Sequence, residues 1–448
     1  MKVSFYTLGC KLNYSETSQL QDQFQQIGHE IVRFGERTDI VIVNTCTVTE
    51  NADTECRKII RRALKTSPDA FIGITGCYAQ LQPEEIASIE GVDAVFGTAE
   101  KLKIHSLITD FTKKETPRIY VDELLEPSFD YAQSADTDSR TRAFLKLQDG
   151  CNYSCSFCTI PKARGASRSM PFADILHRIT SLEQQGFYEI ILSGINLGDY
   201  KDSEGKKFKD ILTLISSLDI PVRFRIGSIE PNLVDNDILS IIAHSTNIVP
   251  HIHIPLQSGS SEILRKMRRR YTPQQYQDLV HSIHSYLPQA CIGADVIVGF
   301  PGETDAHFEE TCTFIQDLPF SYLHVFTYSE RELTPAASYD QKVPMNIRKL
   351  RNHRLRNLSS LKKKEFYQSQ IGMHKIVIPE SYDHSNGMWI GWTENYVRTQ
   401  FHAAPSIVQS PISVRLDSYD ENLEIVQASA LHSLIEHPHK QFIPLLIQ

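Results

Sequence analysis

Residues 151–158 read Cys-Asn-Tyr-Ser-Cys-Ser-Phe-Cys. Three cysteines spaced C-x3-C-x2-C on one loop put three thiolates close enough to hold three irons of a cubane iron–sulfur cluster. No fourth cysteine follows at comparable spacing. One iron is therefore left open to a substrate or a cofactor. A structural zinc site is the first rival, but such sites close with a fourth Cys or His, and the next histidine, His177, falls in a predicted helix well past the loop. A disulfide would leave one thiol over, and residues 1–20 lack a secretory pattern. The cluster is the favoured reading and zinc the alternative.

Outward from this loop, residues 143–329 alternate strand and helix. Six strand candidates occupy 143–147, 189–192, 223–226, 251–254, 294–298 and 322–328, with helices between them, including 172–185 and 273–286. Six βα units are too few for a closed eight-strand barrel and suit an open, partial (βα)6 barrel. Upstream, residues 126–142 are polar and weakly patterned, as an interdomain linker would be. Residues 1–125 again alternate strand and helix. Their segment Asp-Ile-Val-Ile-Val-Asn at 39–44 is nearly continuous in apolar residues, as a strand buried on both faces requires. That implies a flavodoxin-like parallel sheet. Downstream, 346–370 reads as a basic helix with Ile347, Leu350, Leu358 and Leu361 on or near one face. From 373 on, short alternating strands suggest a small β-barrel or sandwich. The resulting plan is 1–125, a linker at 126–142, 143–370, and 371–438, an α/β protein with an all-β tail.

The bulk numbers set bounds. The 448 residues suffice for two to four domains, and 41% hydrophobic content allows ordinary cores. No apolar run reaches membrane-spanning length, so a soluble, cytoplasmic protein with no membrane partner is expected. Nine cysteines without an export signal favour thiolate ligands over a disulfide framework. A formal net charge of −8 argues mildly against nucleic acid. Three basic runs, at Arg57–Lys65, Arg265–Arg270 and Arg348–Lys364, nevertheless make an anionic polymer partner plausible, with solvated helix faces as the bland reading.

A second set of cysteines is scattered in sequence. Cys10, Cys46 and Cys77 each fall just past the carboxyl end of a predicted parallel strand, in T-L-G-C, V-N-T-C and I-T-G-C. Those ends share one edge of an open α/β sheet, where ligands bind. Gly9 and Gly76 supply tight turns before two of them. The alternative is three small buried hydrophobes. Cys56, Cys291 and Cys312 have no such partners and are assigned to structure.

Several segments carry a family resemblance. They are Thr7–Thr17 (T-L-G-C-K-L-N-Y-S-E-T), Gln148–Pro161 (Q-D-G-C-N-Y-S-C-S-F-C-T-I-P), Arg164–Ser169, Gly194–Tyr200, Ser228–Pro231, His253–Ser260 and Val298–Thr304. With the two three-cysteine sites, the chain resembles the radical S-adenosylmethionine (SAM) methylthiotransferase family over nearly its whole length. The residues after Cys10 are similar to the branch that acts on N6-threonylcarbamoyladenosine of tRNA. The tail, with Gly391–Val397 (G-W-T-E-N-Y-V), resembles a TRAM domain.

The resemblance implies two [4Fe–4S] clusters, one on Cys151, Cys155 and Cys158 and an auxiliary one on Cys10, Cys46 and Cys77. It implies SAM as cofactor, used once as methyl donor and once as the source of a 5′-deoxyadenosyl radical. The reaction implied is methylthiolation at C2 of the modified adenosine immediately 3′ of the anticodon. A hydrogen there is not acidic, so a radical rather than an acid–base site is needed. Cofactor contacts implied by position are Ser193, Gly194, Ser228, Glu230, Gln257 and Ser258, with Asp295 on the fifth barrel strand facing the site. Pro161, Arg164 and Arg168 would fix the cluster loop or touch substrate, with surface ion pairs as the alternative. An electron donor such as flavodoxin or ferredoxin, and a monomer, complete the expectation. The tail carries Lys375, Arg398, Arg415 and Lys440 against eight Asp or Glu, so the basic helix at 348–364 is the expected phosphate contact, with Trp389, Trp392, Tyr396 and Phe401 as base stackers or core. The rivals are a ribosomal-protein aspartate methylthiotransferase and a non-catalytic, metal-stabilised RNA-binding protein.

Overall fold

The computed structural model describes residues 1–9, 11–46, 51–113, 115–123, 133–135, 141–404 and 410–433. In the N-terminal domain six parallel strands run Glu30–Ile31, Lys2–Thr7, Ile40–Thr45, Phe71–Gly76, Ala94–Phe96 and Arg118–Tyr120 across the sheet. Alternation explains why Ile40–Thr45 is buried along its whole length. Ile40 and Ile42 pack with Leu20 and Phe24 of the helix Lys11–Gln26, while Val41 and Val43 pack with Ile59 and Ile60 of the helix Asn51–Thr66. The strand order reverses between Lys2–Thr7 and Ile40–Thr45, so the crevice that an open α/β sheet offers to ligands lies at their carboxyl ends.

The central domain has six parallel strands in chain order. They are Arg142–Lys146, Glu189–Ser193, Arg223–Ile226, His251–His253, Cys291–Val298 and Tyr322–Thr327. Single bridges, Phe224 to Ile248 and Ser228 to His253, join the two halves. This is an open, partial barrel. One expectation is corrected here. The stretch 126–142 is not wholly linker, because Gln133–Ala135 pairs antiparallel with Arg142–Lys146 and adds a strand to the barrel edge. Three polar or small residues give no periodicity to read, so sequence alone could not reveal it.

The helix Met345–Ser369 runs from the barrel, where Leu355 is buried, to the tail, where Tyr367 joins the core. Its apolar face differs from the expected one. Leu350 and Leu361 are exposed at 65% and 58%, while Arg348 and Arg351 are buried. Their carboxylate partners, Glu330 and Glu303, make that burial tolerable. The tail closes into a five-stranded barrel, ordered His374–Asp383, Met388–Thr393, Arg398–His402, Ile425–Ser433 and Ile412–Asp420. Trp389 and Phe401 lie in its core with Val377, Val414 and Leu416.

Candidate functional site

Gly150 turns the chain at φ +70°, and a Cβ there would sit 2.1 Å from the Ala166 carbonyl oxygen. The loop that follows is pinned on both sides. The Cys151 amide donates to the Gly165 carbonyl at 3.1 Å, and Ser156 donates from its hydroxyl to the Lys266 carbonyl at 2.7 Å. Two donors address the sulfurs: the Tyr153 amide reaches Cys151 Sγ at 3.4 Å, and Arg269 Nη1 reaches Cys155 Sγ at 3.2 Å. Arg269 also pairs with Glu230, and the Arg270 guanidinium stacks 3.7 Å over the Tyr153 ring. Burial, then the neighbouring thiols, pushes Cys151 up to about 11 and Cys158 up to about 12. Left to themselves these would be neutral thiols, yet the donors around them suit thiolates. A metal centre resolves that mismatch by replacing the protons.

The second set is built differently. Cys10 lies outside the described residues, but its neighbour Gly9 is placed. A Cβ on Gly9, at φ +116°, would lie 2.9 Å from Cys46 Sγ. Cys77 opens the short helix that follows Phe71–Gly76, and Gly76 is paired in register with Thr45. The Cys46 and Cys77 positions are therefore neighbours at the switch-point crevice. A polar knot fixes these strand ends. Asn13 Nδ2 donates to the Leu8 and Thr45 carbonyls at 2.9 and 3.0 Å, and Asn44 Nδ2 donates to the Asn13 carbonyl at 2.9 Å. Sequence reading did not single out Asn13 or Asn44. Their only signal was a polar residue at the end of an apolar strand and one in the first turn of a helix.

The two sets meet across the domain boundary. The helix Cys77–Leu81 packs on the helix Ile160–Arg164 that follows the first loop, and Thr98 donates to the Ala163 carbonyl at 2.8 Å. Arg164 is fully buried. It donates to Asn13 Oδ1 at 2.8 Å, to Glu16 Oε1 at 2.8 Å and to Asp149 Oδ1 at 3.1 Å. Lys101 lies 2.5 Å from Glu16, Lys146 lies 2.7 Å from Asp149, and Arg168 donates to Asp149 at 2.9 Å. Burial alone would raise the Glu16 carboxyl, but Arg164, Lys101 and Lys146 together hold it well below the usual range. Of the alternatives for Arg164, surface pairing is excluded.

The barrel lumen is arranged in layers. Ile252, Ile292, Ala294, Val296 and Leu323 face the surrounding helices. Their alternates His253, Asp295 and His324 converge inside, with their polar atoms within 4.8 Å of one another. Ser228 Oγ lies 2.8 Å from His253 Nδ1, and Asp295 lies 3.2 Å from the other ring nitrogen. Below them the Tyr322 ring lies across Gly293 and forms a floor. Gln257 takes a left-handed backbone at φ +66°, is 8% exposed, and leaves its Oε1 without a partner among the described residues. Ser193 hydrogen-bonds back to its own strand at Ile191, and Gly194 packs on Gln148 and Leu197. Ser258 is turned away, with its hydroxyl engaged by Thr311 and the Ser260 amide. His253 and His324 were missed as site residues, although an alternating reading of the strands would have placed them beside Asp295.

At the opposite, amino-terminal end of the barrel strands the tail is docked. Arg223 and Arg225 both pair with Glu189, and they also donate to the carbonyls of Trp392, Thr393 and Glu394. Tyr396 stacks on Trp392 at 4.4 Å and lies against His251 at 4.6 Å. Trp392 and Tyr396 thus close the barrel floor, and Trp389 and Phe401 are core. The basic helix is likewise engaged. Arg348 pairs with Glu330, Arg351 with Glu303 and Asp305, Arg354 with Glu309, and Lys363 and Lys364 with Glu424 and Glu421. It is a strut between domains, which corrects its reading as the main phosphate contact.

This layout is shared with known proteins. Residues 2–97 match the family described as "Uncharacterized protein family UPF0004", and residues 145–315 match the radical SAM superfamily. The chain is 39% identical to the threonylcarbamoyladenosine tRNA methylthiotransferase MtaB of Bacillus subtilis, over 92% of this chain and 93% of that one. It belongs to the MtaB-type family of radical SAM methylthiotransferases. The protein of the same name from Aquifex aeolicus is 37% identical, over 85% of this chain and 94% of that one. Among solved structures, the radical SAM methyltransferase TsrM of Kitasatospora setae superposes with a TM-score of 0.55 at 16% identity, covering 75% of this chain and 74% of that one. That likeness concerns the fold.

Proposed function

We propose that this chain methylthiolates C2 of N6-threonylcarbamoyladenosine next to the anticodon of tRNA, with SAM and two [4Fe–4S] clusters. Cys151, Cys155 and Cys158 hold one cluster, and Cys10, Cys46 and Cys77 hold the other. What carries this reading is the meeting of two three-cysteine sites at one domain boundary, each beside the open end of its sheet. The bound groups supply a primary carbon radical, a sulfur atom and a methyl group. The protein's part is placement. Arg269 and the Tyr153 amide stabilise sulfur ligands, Gln257 offers an unmatched carbonyl to a ligand donor, and Ser228, His253, Asp295 and His324 present polar atoms to the substrate side of the lumen. Glu230, whose carboxyl is raised by burial, is tied to Arg269 and thereby to the cluster loop. Under the same proposal the enzyme works as a cytoplasmic monomer and takes electrons from a flavodoxin- or ferredoxin-type donor. No helix among the described residues is long and apolar enough to cross a membrane.

Mass spectrometry of tRNA nucleosides tests this, after expression in a strain lacking the modification. The methylthiolated nucleoside should appear with wild type and not with Cys151→Ala. A methylthio adduct on a ribosomal protein alone would overturn the substrate assignment. A colourless zinc protein after anaerobic purification would overturn the enzyme assignment.

A further inference from the structure

Between the two cysteine sites lie six charged side chains shielded from water. Four are cationic (Lys101, Lys146, Arg164 and Arg168) and two are anionic (Glu16 and Asp149). All but Arg168 have side chains at most 1% exposed, and Arg168 is 12% exposed. Buried ions persist when they are matched by opposite charge, yet this set has a surplus of two positive charges. Arg164 Nε is buried without an acceptor among the described residues. Among the charged neighbours of Arg164, Cys77 acts most strongly on it, ahead of Glu16 and Asp149. The surplus therefore faces the auxiliary cysteine site.

We infer that this buried cationic surplus, centred on Arg164, is the counter-charge of the auxiliary metal centre and sets its reduction potential. The inference rests on the proposed ligation by Cys10, Cys46 and Cys77. An oxidised cubane held by three thiolates is a net anion, and reduction adds a further negative charge. A fixed cation in a low-dielectric pocket favours the reduced form and raises the potential. The charges come from both domains, Glu16 and Lys101 from one and the remaining four from the other. The potential is therefore set only when the domains are joined.

The test is a redox titration followed by electron paramagnetic resonance on the anaerobically reconstituted full chain. A Cys151→Ala, Cys155→Ala, Cys158→Ala background leaves only the auxiliary signal. Arg164→Gln should move the midpoint to more negative potential, Arg164→Lys should stay near the parent, and Glu16→Gln should move it positive. Should Arg164→Gln not fold, Lys101→Met gives the same negative shift. Coincident potentials for Arg164→Gln and its parent would overturn the inference, as would shifts of one sign for Arg164→Gln and Glu16→Gln, which a merely loosened and wetter site produces. If the parent binds no cluster at all, the ligation itself falls, a failure separate from an unmoved potential.

Discussion

In the barrel domain three cysteines occupy one loop, and everything that shapes the loop lies nearby: Gly150 before it, Gly165 beneath it and Lys266 beside it. In the N-terminal domain the cysteines come from three strand ends. They are neighbours only because Ile40–Thr45 pairs in register with both Lys2–Thr7 and Phe71–Gly76. A local site needs its loop, whereas a distributed site needs its whole sheet. A one-residue slip of that sheet would turn every side chain to the opposite face and disperse the thiols. The two sites should therefore fail in different ways.

The largest effect separates them by chemistry. Cys155→Ala should abolish both 5′-deoxyadenosine formation and methylthiolation. Cys77→Ala should abolish methylthiolation while deoxyadenosine formation persists. Each should lose about half of the bound iron, the share of one site of two similar ones. Anaerobic iron analysis with chromatographic detection of deoxyadenosine checks this. Loss of deoxyadenosine in Cys77→Ala would remove the division of labour.

The next effect separates them by fold. Gly76 and Gly150 both precede a cysteine, at φ +103° and +70°, and both leave no room for a Cβ, with backbone oxygens at 2.2 and 2.1 Å. Alanine at either should cost on the order of 2–4 kcal/mol through strain and clash. Gly76→Ala strains the junction of two strands, so its thermal unfolding should begin in the N-terminal domain and auxiliary iron should be lost. Gly150→Ala should lose the barrel iron and leave the N-terminal unfolding step in place. Calorimetry and iron analysis together decide whether each glycine serves only its own site.

The same contrast explains what could be read from the sequence. The C-x3-C-x2-C loop is legible from spacing because its geometry is local. The distributed set is legible from a recurrence, a cysteine after each of three strands, together with the rule that parallel strands end on one edge. The continuous run at Ile40–Thr45 shows the two-sided sheet, and six strand candidates give the partial barrel. Features made by long-range pairing were out of reach. Arg348 and Arg351 look like a solvated face until Glu330 and Glu303, brought by other elements, bury them. Trp392 and Tyr396 look like base stackers until they meet His251 and Arg225 at the barrel floor. The charges around Glu16 are spread over both domains, and no spacing marks them as a group.

A smaller effect tests whether the tail is independent of both sites. Burial would raise the Glu189 carboxyl, but Arg223, Arg225 and Arg142 hold it well below the ordinary range. A carboxyl lowered in the folded state contributes fully above its unfolded pKa, about 4.5, and that contribution fades as pH falls through the lowered value. Docking of the tail should therefore be insensitive to pH from about 5 to 8 and weaken only in stronger acid. Arg225→Ala leaves Glu189 under-paired and should weaken docking at all pH values, by roughly 3 kcal/mol. Limited proteolysis between the barrel and the tail reports both, and the barrel iron of Arg225→Ala at neutral pH should stay unchanged.

The smallest effect is a contrast within one helix. Arg351 and Arg354 are one turn apart and both pair with carboxylates of the neighbouring segment, Arg351 with Glu303 and Asp305, Arg354 with Glu309. Arg351 is 6% exposed and Arg354 is 53% exposed. An exposed pair exchanges water for a partner at little net gain, so Arg354→Ala should change stability by no more than about 0.5 kcal/mol. Arg351→Ala strands the buried Glu303 carboxylate and should cost roughly 3–5 kcal/mol. Urea unfolding of the two variants measures the ratio. Equal costs would mean that the helix is held by its charge as a whole, and the strut would then have to be read as an electrostatic element rather than a packed one.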